Sequence, residues 1–113
     1  MRSKFRNMRA SRYMERGRRQ SIRGTYQEAL DYYQLALDCA EDEFEIAAIH
    51  YYMAHALANS GRFEESRIHA DKSLEGCDRA ARHGTIVQEL QQDVRQVLNY
   101  INAAEKKDSG SKT

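Results

Sequence analysis

Apolar side chains recur every three or four residues along most of this chain, which is the spacing of amphipathic α-helices. The pattern predicts five helices, over about 10–23, 26–40, 43–59, 62–81 and 85–105. The last stripe comprises Ile86, Leu90, Val94, Val97, Leu98 and Ile101. Proline is absent and strong helix formers dominate, so the predicted fold class is all-α. The apolar runs are too short for a membrane-spanning helix.

Turn and capping residues separate the predicted helices. Thr25 with Glu28, and Thr85 with Gln88, each match a capping box, in which paired side chains bond to free backbone N–H groups at a helix start. Two short segments, 24–30 and 61–67, also share the order glycine, polar, aromatic, polar, Glu, small residue. They begin 37 residues apart (61 − 24), and a period in this range indicates stacked helical hairpins.

These positions resemble the tetratricopeptide repeat family, whose hairpins carry aromatic and small residues at fixed places. The matching residues are Tyr13, Gly17, Gly24, Tyr26, Ala29, Tyr33 and Ala36 in the first hairpin, and Tyr51, Ala54, Leu57, Gly61, Phe63, Ser66 and Ser73 in the second. The chain departs from the family in lacking a proline between repeats and in its longer period. The first repeat is also similar to the tetratricopeptide proteins that assist photosystem I assembly in plastids and cyanobacteria.

The resemblance implies two hairpins, 10–42 and 43–83, stacked as a right-handed superhelix and closed by a capping helix at 85–105. Residues 1–9 would then form a flexible basic arm and 106–113 a disordered tail. Two repeats are fewer than the roughly three that such arrays need for stability. The capping helix is therefore expected to supply the missing half-repeat.

The same resemblance implies a concave groove lined by the first helix of each hairpin. The corresponding positions are Met14, Arg18, Ile22, Tyr51, His55 and Asn59. Each trio is spaced by four residues and therefore shares one helix face. Such a groove suits an extended or helical protein segment, although these side chains could instead simply cover the core. A carboxylate clamp is not expected, because its positions here (Met14, Arg18 and Tyr52) hold one cation and no Asn.

Charge is distributed unevenly along the chain. Residues 1–23 carry nine basic side chains and one acid, whereas residues 24–61 carry seven acids and no Lys or Arg. The basic segment could bind RNA, DNA, an anionic membrane surface or an acidic protein, or it could lie against the acidic hairpin. Arg12, Arg16 and Arg19 share one helix face and are the predicted electrostatic contact.

Catalytic and metal-binding patterns are absent from the sequence. His50 and His55 point about 140° apart on a helix, so they cannot share a metal ion. The two cysteines occupy positions typical of small core residues. With no phosphate loop or nucleophile motif, the sequence predicts no enzyme, no cofactor and no metal site.

The predicted function is therefore a non-catalytic, chaperone-like scaffold or assembly factor that binds another protein in its groove. The alternative is a nucleic-acid-associated protein, or a structural subunit of a larger complex, docked through the basic arm. A homodimer is also compatible with the sequence. Because the two cysteines form no obvious framework and no signal peptide is evident, we expect the cytoplasm or an organelle stroma or matrix rather than secretion.

Overall fold

The described part of the chain, residues 8–111 of a computed structural model, is all-α, as predicted. Its helices are α1 (Met8–Ile22), α2 (Tyr26–Cys39), α3 (Glu43–Asn59), α4 (Phe63–Arg79) and α5 (Thr85–Ser111), with a short 3₁₀ turn at Ala81–His83 before α5. No helix in this range combines the length and apolar character that a membrane span requires.

The helices pack mainly in sequential pairs. α1 lies against α2 and α3 lies against α4, while α5 covers both α3 and α4. Each of the connections 23–25, 40–42 and 60–62 has three residues, and short connections of this kind keep successive helices side by side. The two pairs meet mainly where α2 lies against α3, with a smaller contact between α1 and α3.

Glycine and serine allow the paired helices to approach closely. A Cβ atom at Gly17 would lie 2.5 Å from the Tyr33 ring, and one at Gly76 would lie 2.8 Å from the Ala47 Cβ. In the α3–α4 pair the buried hydroxyl of Ser73 donates a hydrogen bond to the Ala47 carbonyl at 2.7 Å. Ser66 donates in the same way to the Ala54 carbonyl.

The core has two parts that meet at α3. One lies between α1, α2 and α3 and includes Tyr33, Ile49 and Leu57. The other lies between α3, α4 and α5 and includes Cys77 and Val94. α3 therefore contributes buried side chains to both parts of the core.

The buried stripe of α5 differs from the predicted one at its start. It runs through Val87, Leu90, Val94, Val97 and Ile101, in steps of three and four residues. Ile86 was predicted to be part of this stripe, but it is 49% exposed. Steps of three and four residues keep these side chains in one line along the helix, called here the α5 seam, which faces the core. Val87 lies in this seam and Ile86 does not.

The boundaries of the predicted arm and tail also need correction. Met8 and Arg9, assigned to the flexible arm, belong to α1, and α5 continues to Ser111, well into the predicted tail. Ala103 to Lys107 are strong helix formers without a proline, which explains why the helix outlasts its buried stripe. Residues 1–7 and 112–113, the remainder of the arm and tail, lie outside the described residues.

The helix starts are capped differently from the prediction. The Thr25 hydroxyl donates to the backbone carbonyl of Gln20 in α1 and makes no cap bond at the start of α2. α5 begins at Thr85 itself, so the second predicted capping box is also wrong. At α3, the Asp42 carboxylate accepts a hydrogen bond from the Glu45 N–H at 3.0 Å, which is a regular N-cap.

Candidate functional site

The predicted residues of α3 form a line on its surface. Tyr51 is half-buried, whereas His55 and Asn59 are exposed. The Asn59 amide lies 3.2 Å from the Nδ1 atom of His55, so the two polar groups form one hydrogen-bonded pair. This line borders α1 on one side and α5 on the other, with a recess on each side.

The recess between α1 and α3, called here the α1 recess, has a cavity volume of about 240 Å³. Four of the predicted groove residues line it: Arg18, Ile22, Tyr51 and His55. The structure thus brings two residues of each predicted trio together in this recess. Asn59 lines the recess beside α5 instead. Met14 packs against the core between α1, α2 and α3.

Aromatic rings form the floor of the α1 recess. The Arg18 guanidinium lies 5.3 Å from the centre of the Tyr52 ring, within the range of a cation–π contact. Tyr52 in turn stacks on Tyr33 with 5.9 Å between ring centres. Burial raises the pKa of Tyr33 and of Tyr51 above the usual value, so both phenols remain neutral hydrogen-bonding groups at physiological pH.

The second recess, called here the α5 recess, has a cavity volume of about 180 Å³. Tyr51, His55 and Asn59 form its α3 wall. Its other wall belongs to α5 and consists of Asp93, Gln96, Val97 and Tyr100. The sequence pattern assigns α5 only a capping role: it places Val97 in the core stripe and gives Asp93, Gln96 and Tyr100 no part in the groove. Asp93, Gln96 and Tyr100 are polar or aromatic positions next to the buried stripe, and nothing in the sequence pattern assigns them a neighbour.

The ionisation of His55 affects what the groove can bind. Although the His55 side chain is exposed overall, the groups around its ring remove part of its water and lower its pKa from the usual value, so His55 is neutral at neutral pH. A neutral imidazole can donate from one nitrogen and accept at the other. The two recesses together therefore present one cation at Arg18, one carboxylate at Asp93, and neutral hydrogen-bonding groups between them.

Comparisons with family models, with curated proteins and with solved structures gave no match to this chain. Among the side chains that the structure describes, those of residues 8–82 and 84–107, no group of three or more His, Cys, Asp or Glu could hold a metal ion.

A pair of histidines that the sequence did not predict joins α3 to α4. The Nδ1 atoms of His50 and His69 lie 3.0 Å apart, and the rings stack with 5.2 Å between their centres. Burial, reinforced by His69, Lys72 and Arg79, lowers the pKa of His50 to about 4. Both rings are neutral at pH 7, so one ring N–H can donate to the other ring. His50 and His69 are 19 residues apart on different helices, so no local spacing in the sequence indicates the contact.

The predicted electrostatic face lies on the outside of α1. Arg12, Arg16 and Arg19 are all exposed. The Arg19 guanidinium is 3.8 Å from the Glu15 carboxylate, which also lies 3.5 Å from Arg18. Glu15 therefore offsets part of the charge at one edge of this face, between it and the groove.

Proposed function

We propose that this chain is a non-catalytic interaction module of the tetratricopeptide type, which binds a segment of another protein along the two recesses. The observation that carries the proposal is that Tyr51 and His55 line both recesses. A segment bound over these two side chains would contact α1, α3 and α5 together. Such a module would act as a scaffold or assembly factor.

Three features support the repeat arrangement. Gly24 and Gly61, at the same place in the two repeated segments, both have positive φ, of 84° and 81°. The helices pair as α1 with α2 and α3 with α4. Small residues stand where each pair comes closest, at Gly17 in the first and at Ser66 and Ser73 in the second.

The composition of the groove describes the segment that would fit. Ile22 is 83% exposed at the edge of the α1 recess and offers an apolar contact to an incoming side chain. Arg18 favours an acidic group near α1, and Asp93 favours a basic group near α5. Buried aromatic anchors commonly dominate such interfaces, and Tyr51 is the aromatic side chain common to both recesses.

A displayed library of random peptides about 12 residues long, selected on the full chain, tests the proposal. Enriched peptides would be synthesised and their affinity measured by fluorescence anisotropy. We expect Tyr51→Ala with His55→Ala to weaken binding by at least about tenfold, since truncating a hot-spot side chain costs about 2 kcal/mol or more and about 1.4 kcal/mol is a factor of ten. His55→Ala with Asn59→Ala changes two exposed side chains, so it should weaken binding while leaving the fold intact.

The matched control is Glu75→Ala with Gln92→Ala, two exposed positions on α4 and α5 away from both recesses. This control should bind as tightly as the original chain. Failure to enrich any peptide, or enriched peptides whose affinity is unchanged in both folded groove variants, would refute the groove as a binding site.

A further inference from the structure

The outer face of α1 carries more arginines than the three considered so far. Arg9, Arg12, Arg16, Arg19 and Arg23 follow one another in steps of three, four, three and four residues. At 3.6 residues per turn, these positions fall within an arc of about 80°. All five are exposed. Arg23 follows the last residue of α1, and its N–H still bonds to the Arg19 carbonyl at 3.2 Å, so it continues the same turn.

These five side chains, called here the arginine stripe, are almost unpaired. Among the described side chains, those of residues 8–82 and 84–107, the Arg19–Glu15 contact at 3.8 Å is the one ion pair that the stripe forms. The stripe is about 21 Å long, because Arg9 and Arg23 are 14 residue steps apart and each step rises about 1.5 Å. A rigid helix therefore holds five positive charges, roughly one for every 5 Å, facing solvent.

We propose that the arginine stripe binds the phosphate backbone of a nucleic-acid double helix without reading its base sequence. This inference concerns the outer face of α1 and is independent of the groove. Along about 21 Å of a double helix, each strand presents roughly six phosphates, which is close to the number of arginines. The guanidinium group donates two parallel hydrogen bonds to a phosphate, a geometry that lysine lacks.

The absence of apolar side chains within the arc favours a polyanion over an acidic protein. Between Arg9 and Arg23 the positions inside the arc are all arginine. Protein interfaces are usually anchored by buried aromatic or aliphatic side chains, and the stripe offers none. Binding to a phosphate backbone needs no such anchor, because its affinity comes mainly from the release of counterions.

The same composition favours a duplex over a single strand. Proteins that bind single strands commonly stack the bases on aromatic side chains. The nearest aromatic on this side of α1 is Tyr13, which lies about 40° beyond the arc and packs against the core. The stripe can therefore contact phosphates but offers no surface on which unpaired bases could stack.

Fluorescence anisotropy with labelled duplexes of about 20 base pairs tests the proposal on the full chain. Two unrelated DNA sequences and one RNA duplex would be titrated between about 50 and 200 mM salt. On DNA, the logarithm of the association constant falls linearly with the logarithm of the salt concentration. Changing Arg12, Arg16 and Arg19 to Gln should make this slope shallower by about 2.7, which is about 0.9 for each lost phosphate contact. The two DNA sequences should bind equally well.

Two variant sets control for general charge and for the fold. Arg79→Gln, Arg82→Gln and Arg95→Gln remove three exposed charges elsewhere and should leave the slope unchanged. Changing Arg12, Arg16 and Arg19 to Lys keeps the charge and should retain the slope. The groove variant His55→Ala with Asn59→Ala should bind duplexes normally, so this proposal and the groove proposal can fail separately.

Several results would overturn the proposal. One is the absence of duplex binding at about 50 mM salt. Another is an equal reduction in salt dependence in the two variants that each have three arginines changed to Gln, on the stripe and elsewhere. A third is displacement of the duplex by polyglutamate at equal charge concentration, which would favour an acidic protein. A fourth is arginine-dependent binding to phosphatidylserine vesicles without duplex binding. The last is self-association of the chain through the stripe. It would be seen as a molar mass in solution above that of one chain, which decreases when Arg12, Arg16 and Arg19 are changed to Gln.

Discussion

Acid should destabilise this protein through the His50–His69 pair. The pKa of His50 is about 4 in the folded chain and 6.5 in its unperturbed form. The unfolded state therefore binds more protons between these values, and stability falls as the pH drops below about 6.5 toward 4. The groups facing His50 are His69, Lys72 and Arg79, all on α4, and each one disfavours a second positive charge.

The expected size follows from the two pKa values. At pH 5, the unfolded imidazole is almost fully protonated and the folded one is only about one-tenth protonated, which corresponds to a loss of about 2 kcal/mol. At pH 7.5 the contribution is fully present. The free energy of unfolding of a domain is roughly 5–15 kcal/mol, so this loss is large enough to measure.

Urea unfolding followed by circular dichroism at pH 7.5 and pH 5 is the assay. The variant His50→Gln keeps a hydrogen-bonding group beside His69 but cannot become charged, so it should lose distinctly less stability over this range. His55→Gln makes the same change on the exposed face of α3 and should retain most of the loss. If the original chain and His50→Gln lose the same free energy, His50 is not the acid-sensitive group.

Two further predictions concern packing. Ile101→Ala should lower the free energy of unfolding by about 2–5 kcal/mol, because Ile101 is fully buried in the α5 seam. Ile86→Ala changes a half-exposed position and should lower it by less than about 1 kcal/mol. Equal losses for the two variants in denaturant unfolding would contradict the assignment of the seam. Gly17→Ala should lower the free energy of unfolding by about 1–3 kcal/mol, because the new methyl group would lie 2.5 Å from the Tyr33 ring. An unchanged melting temperature would show that α1 and α2 can move apart without loss of stability.

Much of the helical layout could be predicted from the sequence because it depends on local periodicity. The buried positions Leu30, Tyr33 and Ala36 follow directly from spacings of three and four residues. The start of the α5 stripe could not be fixed in this way. Ile86 and Val87 are adjacent and both apolar, and only contact with α3 and α4 decides which one is buried.

The candidate site was partly predictable for the same reason. Tyr51, His55 and Asn59 share a face whatever the tertiary structure, since they are four residues apart on one helix. Asp93 and Tyr100 join them only because α5 packs on α3, which no local pattern reveals. His50 and His69 are 19 residues apart, and their contact depends on the alignment of α3 against α4.

The sharing of α3 between both parts of the core has a consequence for cooperativity. Ile49 and Leu57 pack toward α1 and α2, while Ala47 and Ala54 pack toward α4 and α5. Neither pair of helices can therefore open without exposing part of α3. Amide protons in the middle of α3 should exchange with solvent only when the whole domain unfolds, whereas those near Met8 and Ser111 should exchange through local fraying. Although built from sequential pairs, the chain should melt as one unit.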